Sequence, residues 1–262
     1  MKRLLFSLAL IFSFGSAFSQ VETEIAKNFR FGLKAAPAIS WLAEDKIGME
    51  RNGLSTGFAY GFQLEFRLAN NYSFVSGIDV NSHSGSLNFG FDQSDTSNLR
   101  KPYLLVPNKD SLGYQITSRK YTFSSVDIPL TIKMKTKEIG YLTYFGQFGV
   151  NASYIYKART TNNNYIDLTG TEGTLSGDNE ELDIIGETNF ARLALNIGIG
   201  AEYNLAGSTS LMFGLSWNNG FTRVLKKESE SILVHKMPSD TFEKLSQEVK
   251  SSFIALNVGV LF

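Results

Sequence analysis

Apolar and polar residues alternate with a period of two along most of the chain. In the clearest run, six apolar residues at alternate positions share one face: Phe58, Tyr60, Phe62, Leu64, Phe66 and Leu68. The positions between them carry glycine, alanine or polar side chains. This period predicts β-strands, because the apolar positions of an amphipathic helix recur every three to four residues instead.

The same alternation predicts eight strands, at residues 29–41, 56–68, 72–81, 126–135, 142–156, 192–203, 210–218 and 254–262. Each is about as long as the roughly 9 to 11 residues that a strand needs to cross a bilayer. The connections are short at residues 69–71, 136–139 and 206–208, and the others are long. Short periplasmic turns and long extracellular loops are typical of outer-membrane barrels, and an even strand number places both termini in the periplasm.

Alternation alone leaves a soluble β-barrel with a Phe-rich core as the other interpretation. Two features favour the membrane barrel. Glycine falls on the polar face of the strands, with Gly146 as the exception, which fits a narrow lumen where side chains converge. Aromatic residues such as Trp41, Tyr72, Tyr154 and Trp217 lie near strand ends on the apolar face, as in an interfacial girdle. We therefore predict an all-β fold, an eight-stranded antiparallel transmembrane β-barrel.

The N-terminus has the plan of a secretory signal peptide. Lys2 and Arg3 precede an apolar run over residues 4–14, and small residues follow around Ala17 and Ser19. We expect residues 1–19 to be a signal peptide and residues 20–262 a single barrel domain. The protein would then be exported through the Sec route to the outer membrane, where it contacts outer-membrane lipid.

Composition excludes several classes of function. The chain has 25 basic and 25 acidic residues, so no net charge attracts it to nucleic acid, and we expect no nucleic-acid partner. It contains no cysteine, which excludes a disulfide framework and a cysteine-linked lipid anchor. Nothing in the sequence requires a cofactor.

Charged residues on the polar face are predicted to form a polar network in the lumen: Arg30, Lys34, Glu65, Arg67, Asp79, Asp127, Lys133, Lys135, Arg192 and Glu202. Buried charges are stable only when they are paired or hydrated. One interpretation is a polar plug, because eight strands enclose an interior that side chains can fill. The other is a narrow, weakly anion-preferring pore, since six of these residues are basic and four are acidic.

Three weaker hypotheses concern the long loops. His83, with Asp92 and Asp95 further along, could in principle act in hydrolysis at the outer rim, but a hydrated loop contains the same residue types, and we predict no enzyme. The acidic segment 158–188 could bind a divalent cation, at the carboxylates of Asp178, Glu180, Glu181 and Asp183. The spacing is not that of an EF-hand, and a solvated loop is the default interpretation, so we predict no metal site. In the last loop, Ser239 could cap a short helix bearing Phe242, Leu245 and Val249.

Three short segments resemble a known family. They are Gly32-Leu33-Lys34-Ala35-Ala36 after a leader ending in Ser-Gln, Val126-Asp127-Ile128-Pro129-Leu130 followed by Lys133, and Tyr144-Phe145-Gly146-Gln147-Phe148-Gly149. They are similar to the PorT-like outer-membrane β-barrel proteins of Bacteroidetes, often labelled a porin family. Such proteins often have glycine where Ala36 stands, and Pro37 interrupts the first strand, so we expect Pro37 at a bulge or near the strand end.

We predict a protein that acts through its structure or through protein contacts. The resemblance implies one specific version, a component of type IX protein secretion whose partners are secretion-machinery proteins. The alternative is a narrow pore for small solutes or ions. The terminal Phe262 resembles the C-terminal aromatic residue of outer-membrane barrels, and the resemblance implies that it is an assembly signal for the barrel assembly machinery.

Overall fold

The protein is described by a computed structural model over residues 28–44, 49–89, 100–104, 114–167, 172–175, 182–236 and 241–262. Fourteen strands are present in these ranges: β1 Phe29–Glu44, β2 Glu50–Arg51, β3 Ser55–Ala69, β4 Tyr72–Asn88, β5 Arg100–Leu104, β6 Tyr114–Lys135, β7 Leu142–Asp167, β8 Glu172–Leu175, β9 Leu182–Asp183, β10 Ala191–Ala206, β11 Thr209–Gly220, β12 Glu228–Lys236, β13 Thr241–Ser246 and β14 Val249–Leu261. Within the described residues, no helix is long and apolar enough to span a membrane.

Eight long strands close on themselves into an antiparallel barrel. The order around the wall is β1, β3, β4, β6, β7, β10, β11, β14 and back to β1. Tight connections join β3 to β4, β6 to β7 and β10 to β11, and Gly140 and Gly207 take the positive φ values of 66° and 60° that such turns require. The predicted eight-stranded antiparallel barrel is therefore confirmed.

Each strand of the barrel turns its apolar side chains outwards. One exposed apolar residue from each wall strand illustrates this surface: Leu33, Tyr60, Ile78, Ile128, Phe148, Ile199, Leu215 and Leu256. The interior positions at the same height are buried and polar, among them Gln63, Asp79, Asn81, Asp127, Asn151, Asn196 and Asn218. This distribution is the reverse of that in a water-soluble barrel and fits a surface solvated by lipid.

The strands extend further than the alternation predicts at the end where the long connections lie. β6 has 22 residues and β7 has 26, so residues 158–167 continue a strand that the sequence interpretation placed in a loop. The added lengths pair with each other and with the short strands β5, β8 and β9. The wall therefore continues beyond the apolar band on the side that we assign to the extracellular space.

The helix predicted in the last loop is wrong. Thr241–Ser246 forms β13, which pairs with β12, and β12 in turn pairs with β5. Leu245 and Val249 are buried in a common core, whereas Phe242 is exposed. Spacings of three and four residues fit a helix, but pairing with β12 outweighs this local pattern. The proposed cap, Ser239, lies outside the described residues.

The expectation for Pro37 is also wrong, because this residue lies in mid-strand without a bulge. The register between β1 and β3 is continuous from Phe29 opposite Phe66 to Ser40 opposite Ser55. Pairing with β14 omits Ala36 and Pro37 but resumes in the same register. The side chain of Pro37 faces outwards, and its missing N–H interrupts one ladder only locally.

Candidate functional site: the barrel interior

A cluster of ion pairs occupies the lumen at the end where the short turns lie. Arg30 donates from Nη1 to Glu202 Oε2 over 2.7 Å and from Nη2 to Ser210 Oγ over 2.9 Å. Lys133 contacts both Glu65, at 3.2 Å, and Glu202. Lys135 also contacts both carboxylates, with 3.1 Å to Glu202 Oε1. Each carboxylate therefore binds at least two cations, and the cluster ties β1, β3, β6 and β10 together.

An aromatic ring supports this cluster from one side. The Lys133 Nζ lies 4.2 Å from the centre of the Phe145 ring, which packs with Met212 and Leu261. The ring fits because Gly200 lies beside it: a Cβ at this position would come within 2.5 Å of Phe145 Cζ. An ammonium over a desolvated ring adds about 0.5–2 kcal/mol of attraction.

A second pair and a polar cavity lie deeper in the lumen. Lys34 Nζ is 2.7 Å from Asp79 Oδ2. Asp127 accepts hydrogen bonds from Ser125 Oγ at 2.6 Å, Asn81 Nδ2 at 2.9 Å and Asn151 Nδ2 at 3.2 Å. Three donors stabilise this buried carboxylate. The cavity that these residues line has a volume of about 40 Å³, which holds roughly three water molecules.

A stack of rings separates this polar region from the outer end of the barrel. Arg192 lies over Phe253 at 5.4 Å, the Phe253 and His83 rings are 5.8 Å apart, and His83 is 5.6 Å from Phe123. The Phe123 ring then stacks on Tyr121 at 6.3 Å with an interplanar angle of 4°. The stack runs across the lumen because its members come from β4, β6, β10 and β14.

Beyond the stack, buried apolar side chains predominate, together with Arg119, which is 1% exposed and donates to Ser231 Oγ at 2.9 Å and to Thr160 Oγ1 at 3.2 Å. Buried side chains from five wall strands form one core with side chains of the β12–β13 hairpin, of residue 184 and of residues 224–225. The members of this core are Leu42, Met49, Leu87, Phe89, Ile116, Tyr121, Phe123, Ile155, Ala158, Ile184, Val224, Leu225, Ile232, Val234, Leu245 and Val249. We call this set the outer core. Because its members come from β1, β4, β6, β7 and β14, the outer core spans the width of the barrel.

The structure distributes the ten predicted lumen residues unevenly. Arg30, Glu65, Lys133, Lys135 and Glu202 form the cluster described above, and Lys34, Asp79 and Asp127 lie around the cavity. Arg192 is buried and bonds to Ser153 Oγ and the Ser251 carbonyl. The prediction that Arg67 belongs to the lumen network is wrong, because this side chain is exposed at the end of the barrel. Its contacts are with the turn, at the carbonyl oxygens of Ala69 and Asn70. Arg67 lies near the end of β3, opposite Ser73 and next to the turn that leads to β4.

His83 does not lie at an outer rim as the enzyme hypothesis required. It is 1% exposed, and among the described residues neither ring nitrogen has a hydrogen-bond partner. Asp92 and Asp95 lie outside the described residues. A ring enclosed by Phe123 and Phe253 cannot contact an extracellular substrate, so His83 has a packing role in this structure.

The described residues give little support to the cation-site hypothesis. The Asp183 carboxylate accepts a hydrogen bond from the Ile185 N–H at 2.9 Å, and Asp178, Glu180 and Glu181 lie outside the described residues. Glu187 is buried and accepts from Ser229 Oγ at 2.9 Å. In the part of the chain that the structure describes, no three acidic or histidine side chains are grouped as metal ligands.

Sequence reasoning missed the apolar residues inside the barrel. Val75, Phe145 and Phe253 occupy inward positions of the alternation, yet all three are apolar and buried. A signal was present for Phe145, because Gly200 and Gly214 face each other on adjacent strands and leave space for a ring. Paired inward glycines therefore mark the places where a large inward side chain from a neighbouring strand fits.

A closed antiparallel barrel with an apolar exterior and a polar, paired interior defines a β-barrel protein of the outer membrane. The chain belongs to the family described as outer membrane protein beta-barrel domain, whose sequence model matches residues 18–226. The predicted outer-membrane location is thereby confirmed. The expected signal peptide, residues 1–19, lies outside the described residues and stays a prediction.

Several solved barrels are similar to this chain at low sequence identity. Neisserial surface protein A is 13% identical, with 89% of this chain and 95% of that chain covered and a TM-score of 0.42. The outer membrane protease OmpT from Escherichia coli is 9% identical, with 93% and 99% covered and a TM-score of 0.44. OprG from Pseudomonas aeruginosa is 10% identical, with 90% and 95% covered and a TM-score of 0.39. No protein of curated function matches the sequence.

Proposed function

We propose that this protein is a non-conducting outer-membrane barrel that acts through contacts made outside its lumen, without enzymatic activity. The observation that supports this proposal is the filling of the interior at two separate heights. The ion-pair cluster joins four strands at the periplasmic end, and the outer core crosses the barrel at the extracellular end. The cavity between them, about 40 Å³ in volume, holds only a few waters.

Conductance tests this proposal directly. Purified wild-type protein in planar bilayers is expected to give no discrete conductance steps. The variant Glu202→Gln, which weakens the periplasmic cluster, is expected to remain silent, because the outer core still closes the lumen. A further variant in which a short Gly-Ser linker replaces residues 228–246 removes Ile232, Val234 and Leu245 from that core. This second variant, combined with Lys133→Ala and Glu202→Ala, which remove two of the side chains that fill the periplasmic end, serves as the opened control.

Each variant is first checked for folding by the heat-dependent shift in gel mobility that closed barrels show. Discrete steps from the wild-type protein would refute the proposal and favour the alternative, a narrow pore for small solutes or ions. Conductance steps from the combined variant alone would support closure of the lumen at two independent places, the ion-pair cluster and the outer core.

The resemblance to PorT-like proteins supports a more specific version, in which the barrel is a component of type IX protein secretion. The comparison that tests it is the secreted proteome of a strain lacking the gene against that of its parent. Cargo proteins are expected to accumulate in the periplasm while other outer-membrane barrels stay at normal levels. Unchanged secretion would exclude this version and leave the non-conducting barrel in place.

A further inference from the structure

The chain contains two Asn-Gly pairs, Asn52-Gly53 and Asn219-Gly220. In such a pair, the glycine nitrogen can attack the side-chain amide carbon of the asparagine, because glycine has no side chain to hinder the approach and its backbone turns freely. The reaction requires that both the asparagine side chain and the following peptide group are free to move. The structure places the two pairs in opposite environments, so they can be compared within one molecule.

Asn52-Gly53 lies in the connection between β2 and β3, and both residues are exposed. Gly53 has a φ of 71°, in the region that favours glycine. A Cβ at this position would have no atom within 4 Å. In the part of the chain that the structure describes, neither the Gly53 N–H nor the Asn52 side chain has a hydrogen-bond partner. The two groups that would react are therefore unrestrained.

The chain is anchored just before this pair. The Asn52 N–H donates to the Ser86 carbonyl at 2.9 Å, and Arg51 pairs with Leu87 across the β2–β4 ladder. The Arg51 N–H donates to Glu44 Oε1 at 3.1 Å. The Asn52 side chain and the peptide group that follows can therefore rotate without breaking any of these bonds.

Asn219-Gly220 is held firmly in β11, where Asn219 pairs with Leu195 on one side and Ser252 on the other. Ser252 Oγ donates to Asn219 Oδ1 at 3.0 Å and accepts from the Gly220 N–H at 3.3 Å. Gly220 is buried, and a Cβ there would lie 2.3 Å from the Ser251 carbonyl oxygen. The reaction would have to break these bonds and turn an extended backbone, so this pair is protected.

We propose that Asn52 is a site of spontaneous deamidation on the extracellular side of the barrel, with water as the co-reactant. The Gly53 nitrogen bonds to Cγ of Asn52 and loses its proton, and ammonia leaves, so that a five-membered succinimide ring forms. Water then adds to either ring carbonyl and opens the ring to aspartate or isoaspartate. The sequence of steps needs no oxidant or reductant. This site does not depend on whether the lumen conducts.

The modification changes the charge of the connection between β1 and β3 while leaving the wall intact. Residues 44–54 include three acidic and two basic side chains, so their net charge changes from −1 to −2. Isoaspartate also lengthens the main chain by one carbon between residues 52 and 53. This point follows the hydrogen bond to Ser86 and precedes the start of β3 at Ser55. The barrel is therefore expected to keep its heat-dependent gel shift after conversion.

Mass spectrometry of the folded, detergent-solubilised barrel tests the site. The protein is incubated at mildly alkaline pH in water enriched in heavy oxygen, which labels conversion during incubation and distinguishes it from conversion during digestion. The tryptic peptides 52–67 and 193–223 report on Asn52 and Asn219, and fragmentation locates the change. Asn52 is expected to convert at least tenfold faster than Asn219, with isoaspartate among its products. Asn52→Gln is expected to abolish the change in peptide 52–67, because a glutamine would have to form a larger ring.

The urea-unfolded chain is the matched control, because it keeps both sequences and removes the structure. In this state, the two pairs are expected to convert at similar rates. Equal rates in the folded barrel would overturn the proposal, as would an Asn52 that converts only after unfolding. A tenfold difference that persists in urea would also overturn it, since flanking sequence would then account for the difference. Aspartate without isoaspartate would indicate direct hydrolysis and exclude the ring mechanism.

Discussion

The ion-pair cluster near the periplasmic end allows a prediction that depends on its charge balance. Three cations, Arg30, Lys133 and Lys135, surround two carboxylates, Glu65 and Glu202. Glu202→Gln leaves three cations against one carboxylate, whereas Lys133→Met leaves two against two. The glutamate substitution should therefore be the more destabilising, although Lys133 is the more deeply buried residue.

The magnitudes follow from burial. The side chain of Glu202 is 5% exposed, and leaving buried charges without their partner costs about 3–5 kcal/mol. Lys133→Met removes the cation from the Phe145 ring, a loss of about 0.5–2 kcal/mol. A thioether against the same ring returns about 0.3–1.5 kcal/mol. We therefore expect Lys133→Met to lower the free energy of unfolding by less than about 2 kcal/mol, because Lys135 still pairs with both carboxylates.

Urea unfolding in lipid vesicles measures both changes, with tryptophan fluorescence from Trp41 and Trp217 as one signal and gel mobility as the other. The double variant Glu202→Gln/Lys133→Met restores the original excess of one cation. It is expected to be more stable than the sum of the single changes predicts. If Lys133→Met destabilised the barrel as much as Glu202→Gln, or if the two effects were additive, the charge-balance reasoning would be refuted.

Three further predictions concern packing and assembly. Gly61→Ala is expected to destabilise the barrel by about 1–3 kcal/mol, because its Cβ would collide with the Asp79 carboxylate. Gly146→Ala is the matched control, since the nearest atom to its Cβ is 4.0 Å away. In the same urea assay, the stability of this control should be within about 0.5 kcal/mol of wild type. Phe123→Ala in the outer core should lower the free energy of unfolding by about 3–5 kcal/mol, and a loss below 1 kcal/mol would contradict the role of that core. Deletion of Phe262 should reduce the amount of assembled barrel in the outer membrane, as measured by the heat-shifted band on gels of membrane fractions, and unchanged levels would count against its assembly role.

The wall of the barrel could be predicted from the sequence, because the orientation of its side chains depends only on alternation within each strand. Alternate residues of a strand face opposite sides, so Phe58 to Leu68 could be assigned to the lipid side without knowledge of any partner strand. The number of strands followed from the same alternation, and their orientation from the lengths of the connections. The strand ends were less predictable, since the outer parts of β6 and β7 lose the alternation where the wall leaves the membrane.

The interior was less predictable because its contacts depend on register between distant strands. Lys133 and Glu202 are 69 residues apart in the chain, and only the barrel closure brings them together. The predicted set of lumen charges also contained Arg67, which has the right parity but lies one step too close to the turn. Parity shows on which side of the wall a residue lies, whereas its height along the barrel axis decides which residues it contacts.

The contrast between the two ends of the lumen has a physical basis in the surrounding solvent. Lipid chains are as apolar as leucine, so burying apolar side chains gives little driving force within the membrane. There, the backbone ladders and the polar contacts around Asp127 and Glu202 hold the strands together. Beyond the membrane the wall is surrounded by water, and burial of apolar surface again favours the folded state by about 25 cal/mol per Å². The outer core, which includes Leu87, Phe123 and Ile232, lies in this region. The barrel thus changes its mode of stabilisation along its axis, and the outer core that stabilises the extracellular part is the same group of residues that, in our proposal, closes the lumen.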